Sequence, residues 1–540
     1  MTVHAYLFEL RGIQSGLFAT GKLRDMVAGS ELIDYLCQEP LDEALDACGL
    51  RGLGDAEYSP RRAGAAFYLV IDDVDKAQHF RQLWSICVAQ LLPGLEAVDA
   101  LATGNTAREA VERGLRALRS ARNRPHAQLP GASPLARRNQ RSGVVAVAEE
   151  TGELVDAGTA IARRFNRPKG SRLVDRFYGE PNNVHWPDNF EASAASHRRF
   201  PLARNRLVGL VHADGNGVGQ ILRGLSAATN NTDHADYIRL YRSFSDGLER
   251  ATVLAASDAC SETLAPGINE EGVMPARPLV LGGDDLTVLV RADHALPFTR
   301  SYLLHFESRT RDFLTQLRHD MKAMKLPEAA IAELPSQLTA CAGIIFMKDS
   351  QPFAQCYALA EDLCSRAKQQ SREQGEPGKP IPSSLAFHRL QGTMFSSAEQ
   401  LFQRELCVHD LTDKSNSLSL GLPAYGLKDN TSMPALAALH ALAECFGPNQ
   451  LNASRLRNLA TLLHSDNNLA RQDYARWRDL AGTNDVTANA LGEFDRALER
   501  LLGPTSDSLP MDIAGRHSPL ADLLSYLSIH RSVTEDSARA

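Results

Sequence analysis

The amino-acid sequence predicts an α+β fold with two sheet-containing domains, an irregular insertion between them and a C-terminal helical domain. Three observations lead to this prediction. Short apolar runs typical of strands alternate with helical patterns over residues 1–125 and again over residues 201–425. Residues 126–200 open with a composition rich in Pro, Arg and Gly, which is typical of irregular structure. Over residues 426–540 the apolar residues recur at helical spacing.

The first region, 1–125, is expected to open with a strand at residues 4–10 and a helical segment that reaches Cys37. A second apolar run at residues 65–71 follows a turn-prone stretch and predicts a buried strand. Two helical patterns come next. In the second of them Val111 and Leu115 recur at helical spacing, with arginines on the other faces.

Arginines are concentrated around the end of this region. Against Glu109 and Glu112 there are nine of them, at positions 108, 113, 116, 119, 122, 124, 137, 138 and 141. Such a stretch is either a solvated helix face or a surface that contacts RNA or a partner subunit, and the sequence leaves both open.

The middle region, 201–425, has the clearest order of elements. An apolar run at residues 207–211 leads to Asp214, and helical sequence follows. Two β-rich runs then flank Gly282-Gly283-Asp284-Asp285, which indicates a hairpin with a tight turn. A long helix, a strand at residues 338–347 and another helix complete the region. The order β, α, α, β-hairpin, α, β, α suits an antiparallel sheet backed by helices, which is the plan of a polymerase palm domain.

Composition excludes several classes of protein. Among the 540 residues, 44% are hydrophobic and 23% are charged, and the net charge is −7, so a general nucleic-acid binder is not indicated. No apolar run approaches the roughly 20 residues of a membrane-spanning helix, and the N-terminus lacks the features of a secretion signal. Nine scattered cysteines contain no C-x-x-C pair. We therefore expect a cytoplasmic protein without membrane contact, disulfide framework or intact zinc ribbon.

The acidic residues point to metal-dependent phosphoryl or nucleotidyl transfer. Such chemistry depends on metal ions that bridge and neutralise phosphates, and Mg²⁺ prefers one or two carboxylates together with phosphate oxygens. Asp214 and the pair Asp284-Asp285 end neighbouring strand-like runs, so they could converge on metal ions. Glycines beside them, including Gly215, Gly217, Gly219, Gly282 and Gly283, would let a base or phosphate approach the backbone. Lys368 is a candidate cation for phosphate.

Each of these features has a structural alternative. A Gly-Gly-Asp-Asp sequence by itself is also typical of a solvent-exposed hairpin turn. Asp214-Gly215-Asn216-Gly217 begins like a calcium loop, but Val218 and Leu225 stand where that loop needs ligands. A lone Lys368 is also typical of a solvated helix face. The combination of these features with the palm-like order favours the functional interpretation.

The chain resembles the large, polymerase-like subunit of type III CRISPR-Cas effector complexes, which makes cyclic oligoadenylates. The resemblance lies in these stretches: Arg11-Gly12-Ile13-Gln14 with Lys22-Leu23-Arg24-Asp25 and Ala28-Gly29-Ser30; His212-Ala213-Asp214-Gly215-Asn216-Gly217-Val218-Gly219; Leu281-Gly282-Gly283-Asp284-Asp285; Ala342-Gly343-Ile344 with Pro352 and Ala367-Lys368; and residues 452–463. Together they touch most of the chain in the family's order, although each is short.

The resemblance implies two palm (GGDEF-like) domains, of which the second, 201–425, is catalytic. It implies that Asp214, Asp284 and Asp285 bind two Mg²⁺ or Mn²⁺ ions. Asn216, Gly217, Gly282 and Gly283 would then contact the nucleotide, and Lys368 its triphosphate. The 3′-hydroxyl of one ATP would attack the α-phosphate of the next and release pyrophosphate. Implied partners are the other effector subunits, with guide and target RNA reached through the complex.

Three departures from the family pattern matter. Many members begin with a metal-dependent HD nuclease domain, whereas this sequence starts at the first palm, so we expect no DNA cleavage. The first palm has Arg62-Ala63-Gly64-Ala65-Ala66 where the second has its acidic hairpin, so we expect it to be degenerate and to shape the ATP pocket. Arg138-Asn139-Gln140-Arg141-Ser142-Gly143 stands where C-x-x-C-G is expected, so region 126–200 resembles a zinc ribbon that has lost its cysteines, and no zinc is predicted.

Two other functions stay open. A free-standing GGDEF-type cyclase would be active alone, as a homodimer and without RNA. A catalytically silent effector scaffold would keep the acidic turn only as structure, although all three aspartates are intact. The sequence does not determine the size of the product ring or the activating RNA.

Overall fold

The structure is a computed structural model that describes residues 2–50, 52, 59–63, 65–124, 133–150, 152–179, 184–230, 232–375, 380–392, 395–409, 417–428, 433–447 and 450–537. Predicted features that fall partly outside this range include Gly64 of the first-domain hairpin, and residues 126–132, 151 and 180–183 of the insertion. Within the range, no helix combines the length and apolar character needed to cross a lipid bilayer.

The first domain is a four-stranded antiparallel sheet with helices on both faces. Its strand order is β2-β3-β1-β4, so the first strand is central. Local sequence sets the helix starts: Asp73 and Thr106 accept hydrogen bonds from main-chain N–H groups of the two longest helices. The elements are β1 (Val3–Arg11), α1 (Ile13–Leu17), α2 (Leu23–Leu36), α3 (Glu39–Ala47), β2 (Arg61–Ala63), β3 (Ala66–Ile71), α4 (Val74–Leu91), β4 (Glu96–Gly104) and α5 (Ala107–Arg122).

The insertion contains regular structure, contrary to the prediction of an irregular segment. A two-stranded hairpin is followed at once by a helix that packs on α2, and a further short helix packs on the second domain. These elements are β5 (Ala146–Glu150), β6 (Glu153–Asp156), α6 (Ala157–Arg164) and α7 (Leu173–Phe177). Strand β5, Ala-Val-Ala-Glu-Glu, alternates half-buried and exposed residues and has little local β signal, so its pairing depends on tertiary contacts.

The second domain is a six-stranded sheet in the order β14-β11-β10-β7-β9-β8, antiparallel except for the parallel pair β10–β11. The elements are β7 (Leu207–Asn216), α8 (Val218–Ala228), α9 (His234–Ala259), β8 (Ala276–Gly282), β9 (Asp285–Arg291), α10 (Ala292–Ala323), α11 (Glu328–Ala332), β10 (Thr339–Lys348), α12 (Phe353–Glu373), β11 (Ser384–Arg389), α13 (Ala398–Leu401), β12 (Cys407–His409), β13 (Ser417–Ser419) and β14 (Tyr425–Gly426). Apart from the short α11, the order from β7 to α12 is the predicted one.

The C-terminal part is helical, as predicted, with α14 (Leu436–Glu444), α15 (Ala453–Ser465), α16 (Asn467–Ala481), α17 (Asp485–Leu502) and α18 (Leu520–Ser537). It packs on the second domain through α10 and β11. Buried Asp522 of α18 accepts hydrogen bonds from the Leu422 amide (2.8 Å) and the Tyr425 hydroxyl (2.6 Å). Because β14 belongs to the second sheet, the predicted boundary at residue 426 lies within a strand.

The two sheet domains share one hydrophobic core. Side chains of β1 such as Tyr6 and Phe8 belong to the same buried cluster as Val208 and Leu210 of β7. A second core lies on the opposite face of the second sheet, between the sheet, α9, α10 and the C-terminal helices. The start of α9 also enters the core under α5, through Tyr237. The helices α5 and α9 therefore fix how the first domain faces the second.

The two domains have the same internal plan. The central strand is flanked by the second strand of a hairpin on one side and by a later strand on the other, as β3-β1-β4 and β9-β7-β10. Sequence analysis missed the equivalent of β10 in the first domain, because β4 contains mainly small and acidic residues, Glu-Ala-Val-Asp-Ala-Leu-Ala-Thr-Gly. Nine residue pairs with β1 place it in the sheet.

Candidate active site

Two adjacent strands of the second sheet bring the predicted aspartates together. The antiparallel register of β7 and β9 places Asp214 directly opposite Asp285. Alternate residues of a strand point to opposite faces, so Asp214 shares its face with Val208 and Leu210, which belong to the core shared with the first domain. The aspartates therefore lie on the face of the second sheet that is turned toward the first domain.

The turn between β8 and β9 places the third carboxylate. Gly282 pairs with Asp285 across the hairpin, so Gly283 and Asp284 form a two-residue turn. Gly283 has φ 61°, a conformation that costs a residue with a side chain more than it costs glycine. The hydroxyl of Thr252 on α9 donates a 2.7 Å hydrogen bond to the Gly283 carbonyl and holds the turn against α9.

Asp214, Asp284 and Asp285 form a tight acidic cluster, in which one ligand oxygen from each lies within 4.8 Å of the others. Burial, followed by repulsion from Asp214, raises the pKa of Asp284 above its usual range. Burial, followed by repulsion from Asp284 and Asp214, raises the pKa of Asp285 further. The cluster thus concentrates negative charge that the protein compensates only in part.

Lys368 supplies a positive charge beside the cluster. Its ammonium group on α12 forms an ion pair with Asp214 and donates a 3.0 Å hydrogen bond to the Gly215 carbonyl. His212, two residues before Asp214, is buried, and its Nδ1 lies 3.2 Å from the Thr287 hydroxyl. Burial, with a smaller contribution from Lys368, lowers the pKa of His212 to about 4, so its ring is neutral near pH 7.

The strand end of β7 and the acidic turn approach each other closely at Gly215. A Cβ atom on Gly215 would lie 2.8 Å from the Asp284 Cβ and 3.0 Å from the Asp284 Oδ2. Carbon atoms in favourable contact are about 3.5–4.0 Å apart, so a side chain at this position would displace Asp284. The glycine after Asp214 is therefore required by the geometry of the cluster.

A cavity of about 830 Å³ opens beside the acidic turn, between the two domains. The second domain contributes Gly282, Gly283, Asp284 and Asp285 on one side, and the first domain closes the cavity with β2 and α5. Aromatic and apolar side chains from α8 and α9 line the rest, among them Tyr237, Tyr241, Phe244, Leu222 and Leu248. Its volume lies within the range typical of small-molecule sites, about 300–1,000 Å³.

Four arginines line this cavity. Arg61 of β2 donates a 3.2 Å hydrogen bond to the Tyr68 hydroxyl. The other three are Arg116 and Arg119 from α5 and Arg223 from α8. Among the described residues, none of the three has an ion-pair or hydrogen-bond partner. Glu112 also lines the cavity, but it is ion-paired with Arg108 and accepts a hydrogen bond from Ser226. The cavity thus has an acidic end and a basic wall.

Asn216 and Gly217 lie elsewhere. Both line a separate cavity of about 590 Å³ between α8 and the segment that leads into β10. The Asn216 amide is buried and donates to the Thr339 hydroxyl at 3.1 Å, while its carbonyl oxygen has no partner among the described residues. Gly217, with φ 84°, is the N-cap residue of α8. The structure therefore separates these two predicted nucleotide contacts from Gly282 and Gly283.

Comparison with solved structures identifies relatives of this fold. Csm1 from T. onnurineus superposes with a TM-score of 0.50 and 14% identity, over 97% of this chain and 69% of that chain. The Csm1–Csm4 cassette in complex with pppApA superposes with a TM-score of 0.54 and 11% identity. The cassette in complex with cA3 superposes with a TM-score of 0.53 and 12% identity. Each superposition covers 98% of this chain and 69% of that chain.

The chain has the fold of Csm1. Csm1 belongs to type III CRISPR Csm complexes, so the resemblance seen in the sequence is confirmed at the level of the fold. No family model matches the sequence, and no curated protein matches it.

The corresponding position in the first domain lacks the acidic pair of the hairpin and keeps one carboxylate, Glu9. There Ala63 pairs with Ala66 across the β2–β3 hairpin, as Gly282 pairs with Asp285 in the second domain. Glu9 stands opposite Ala66, in the position that Asp214 has opposite Asp285. The Tyr68 hydroxyl donates to Glu9 at 3.1 Å, and Arg122 is ion-paired with it, so this carboxylate is already satisfied.

Sequence analysis did not identify which arginines of the first domain line this cavity. The concentration of arginines on α5 was visible, but which of them face a cavity depends on how α5 packs against α9. Arg116 and Arg119 line the cavity, whereas Arg113 bonds to Glu109 and to the Thr103 carbonyl.

The donor set fits a hard divalent cation. All three groups are carboxylates, which Mg²⁺ and Mn²⁺ prefer to nitrogen or sulfur ligands. The raised pKa values of Asp284 and Asp285 mark negative charge that a bound cation would compensate.

Proposed function

We propose that this chain joins ATP into cyclic oligoadenylates, as the large subunit of an RNA-guided type III CRISPR effector complex. The observation that carries the proposal is the position of the acidic cluster Asp214, Asp284 and Asp285 at one end of a cavity. That cavity is also lined by Arg116, Arg119 and Arg223, which have no partner in the part of the chain that the structure describes. An anionic substrate that also needs metal ions, such as a nucleoside triphosphate, fits both ends of that cavity.

The residues that line the cavity would bind different parts of the substrate. Arg116, Arg119 and Arg223 would bind triphosphate oxygens, because guanidinium groups match the geometry of phosphates. Half-buried Tyr241 offers an aromatic surface for a base, and its ring packs on buried Tyr237 with the ring centroids 4.7 Å apart. Because these groups come from both domains, the degenerate first palm would shape the site without binding metal itself.

The acidic end would carry the chemistry. Asp214, Asp284 and Asp285 would hold Mg²⁺ or Mn²⁺, which when bound supplies positive charge to the phosphates. Gly282 and Gly283 leave the hairpin without side chains, so the nucleotide can approach the backbone, and Lys368 adds a cation next to Asp214. Asn216 and Gly217, which line the separate smaller cavity, would contact a nucleotide bound there and not the one held beside Gly282 and Gly283.

The proposed reaction joins two nucleotides at a time. The 3′-oxygen of one ATP forms a bond to the α-phosphorus of the next, the bond from that phosphorus to the β-phosphate oxygen breaks, and pyrophosphate leaves. The 3′-hydroxyl proton passes to solvent. Repetition and a final intramolecular step would close the ring. The solved cassettes with pppApA, cA3 and AMPPNP support this choice of substrate and product, and the presence of Csm4 supports other effector subunits as partners.

The test is synthesis from labelled ATP with Mg²⁺ or Mn²⁺, with and without co-purifying subunits and RNA, and with products identified by mass spectrometry. The double variant Asp284→Ala/Asp285→Ala should abolish synthesis and leave the fold intact, because a hairpin tip contributes little to the core. The matched control is Glu270→Ala/Glu271→Ala, which removes two exposed carboxylates outside the cavity.

The outcomes separate the candidate functions. Cyclic adenylates that require RNA and the partners, and that vanish only in the Asp284/Asp285 variant, support the proposal. Synthesis by the isolated chain as a homodimer without RNA would favour a free-standing cyclase. No product in any condition with partners present would favour the silent scaffold, and unfolding of the Asp284/Asp285 variant would give the turn a structural role.

A further inference from the structure

Three polar side chains in the insertion converge on one carboxylate oxygen of a fourth residue, Asp156. The Oδ2 of Asp156 accepts hydrogen bonds from the Asn139 amide (2.8 Å), the Ser142 hydroxyl (2.8 Å) and the Thr159 hydroxyl (3.1 Å). Asn139, Asp156 and Thr159 are buried, and Ser142 is half-buried. We refer to these four residues as the Asp156 cluster.

The spacing of the cluster is that of a four-ligand metal site. Two residues separate Asn139 from Ser142, and two separate Asp156 from Thr159. Between the pairs lie residues 143–155, which form most of the β5–β6 hairpin. Zinc sites that join two segments have their ligands in two such pairs, each supplied by one turn.

The backbone around each pair matches this arrangement. In the first turn the Asn139 Oδ1 accepts a hydrogen bond from the Arg141 amide (2.9 Å). The Gly143 amide donates a hydrogen bond to the Asn139 carbonyl, and Gly143 has φ 71°. The second pair lies in the first turn of α6, where the Asp156 Oδ1 accepts from the Thr159 amide (2.9 Å). The two turns thus face each other across the cluster.

The chemistry of the side chains is that of a hydrogen-bond network. Asn139, Ser142 and Thr159 donate hydrogens to Asp156, and an amide or hydroxyl that donates in this way is a poor zinc ligand compared with cysteine or histidine. Burial by itself would raise the pKa of Asp156, but hydrogen bonds from Thr159, Ser142 and Asn139 outweigh it, and the pKa is lowered. Asp156 is therefore a buried anion satisfied by four donors.

The cluster also determines where α6 lies. Arg163 of α6 makes a bidentate ion pair with Asp25 of α2, at 2.6 and 3.0 Å. At Gly158 a Cβ atom would come within 2.9 Å of the Pro93 carbonyl oxygen, so the start of α6 is in close contact with the first domain. A link between the hairpin and the start of α6 therefore fixes the insertion against the first domain.

We propose that the Asp156 cluster is a metal-independent cross-link, which joins the insertion hairpin to α6 through hydrogen bonds at four positions that have the geometry of a zinc site. The cross-link and the Asp25–Arg163 ion pair together hold the insertion on the first domain. The proposal is independent of the enzymatic activity.

The first test weakens the cluster without removing the helix cap. Asparagine is as good an N-cap residue as aspartate, so Asp156→Asn keeps the capping oxygen. It replaces the other oxygen by an NH₂ group, which cannot accept from Asn139, Ser142 and Thr159. We expect backbone amides of residues 139–164 to exchange hydrogen at least tenfold faster in the full chain, with the second domain unchanged. Glu149→Gln is the matched control, because Glu149 is exposed and, among the described residues, its side chain pairs only with exposed Arg137.

The second test converts the cluster into a metal site. The variant Asn139→Cys/Ser142→Cys/Asp156→Cys/Thr159→Cys should bind one zinc ion per chain, and zinc should restore slow exchange in residues 139–164. The natural chain should show the same exchange with and without EDTA. A folded four-cysteine variant that binds no zinc would overturn the geometric part of the proposal. The cross-link would be overturned if hydrogen exchange in the wild-type chain became faster in EDTA. It would also be overturned if Asp156→Asn exchanged hydrogen as slowly as wild type, and this second test does not depend on whether the four-cysteine variant folds.

Discussion

Replacement of Gly215 by alanine probes the close approach on which the acidic cluster depends. The added Cβ would lie 2.8 Å from the Asp284 Cβ. Carbon atoms in contact need about 3.5 Å or more, so Asp284 must move by at least about 0.7 Å. Gly215 itself has no positive φ, so alanine brings no backbone strain. A displacement of about 1 Å in a reacting group lowers rate by about 100-fold, equivalent to about 2.7 kcal/mol.

Two measurements follow this change. Mn²⁺ titration monitored by electron paramagnetic resonance reports the metal site directly, and the conversion of labelled ATP by the assembled complex reports its use. We expect weaker Mn²⁺ binding by Gly215→Ala and about 100-fold slower synthesis, with the fold retained. The matched control is Gly492→Ala in α17, where an added Cβ meets no atom within 4 Å. It should leave activity unchanged and stabilise the helix by about 0.5–1 kcal/mol.

The reasoning would be refuted if Gly215→Ala bound Mn²⁺ and made product within threefold of wild type. Such a result would mean that the turn shifts freely without loss of function. Loss of Mn²⁺ binding together with unfolding, detected by circular dichroism, would instead make the contact a requirement of the fold.

Two further predictions concern the basic wall and the C-terminal helix. Arg116→Ala/Arg119→Ala should lower kcat/KM for ATP by about 100-fold or more, since each charge-assisted hydrogen bond contributes about 1.5–3 kcal/mol. The control Arg113→Ala, which removes an arginine of α5 that does not line the cavity, should leave kcat/KM unchanged. Equal effects of the two changes would contradict the assignment. Burial raises the pKa of Asp522 to about 7, so its folded state retains a proton that the unfolded chain has released. The free energy of unfolding of wild type should therefore fall relative to that of Asp522→Asn as pH rises from about 4 to 7, by at most about 4 kcal/mol, and then stay level. A difference between the two proteins that is constant from pH 4 to 8 would contradict this prediction.

Local sequence was sufficient for the elements of the second domain and for the residues of the acidic cluster. The apolar run before Asp214 and the β-rich runs around Gly282–Asp285 are strand and hairpin patterns that depend only on neighbouring residues. Local patterns were weaker for β4 and β5, which contain small and acidic residues. These two segments form strands because neighbouring strands of the folded chain provide backbone hydrogen-bond partners. The palm assignment and the domain boundaries stay predictions.

Tertiary structure decided which of these residues meet. The register of β7 against β9 puts Asp214 opposite Asp285, and a shift of one residue would turn every side chain to the other face. The packing of α12 brings Lys368 to Asp214, and the packing of α5 on α9 turns Arg116 and Arg119, but not Arg113, toward the cavity. The same packing leaves Asn216 and Gly217 in a different cavity. The sequence by itself determined the elements and the chemical groups, because these follow from periodicity and residue type over short distances. Their convergence into a site required contacts between residues 71 positions apart (Asp214 and Asp285) and 154 positions apart (Asp214 and Lys368), which no local pattern encodes.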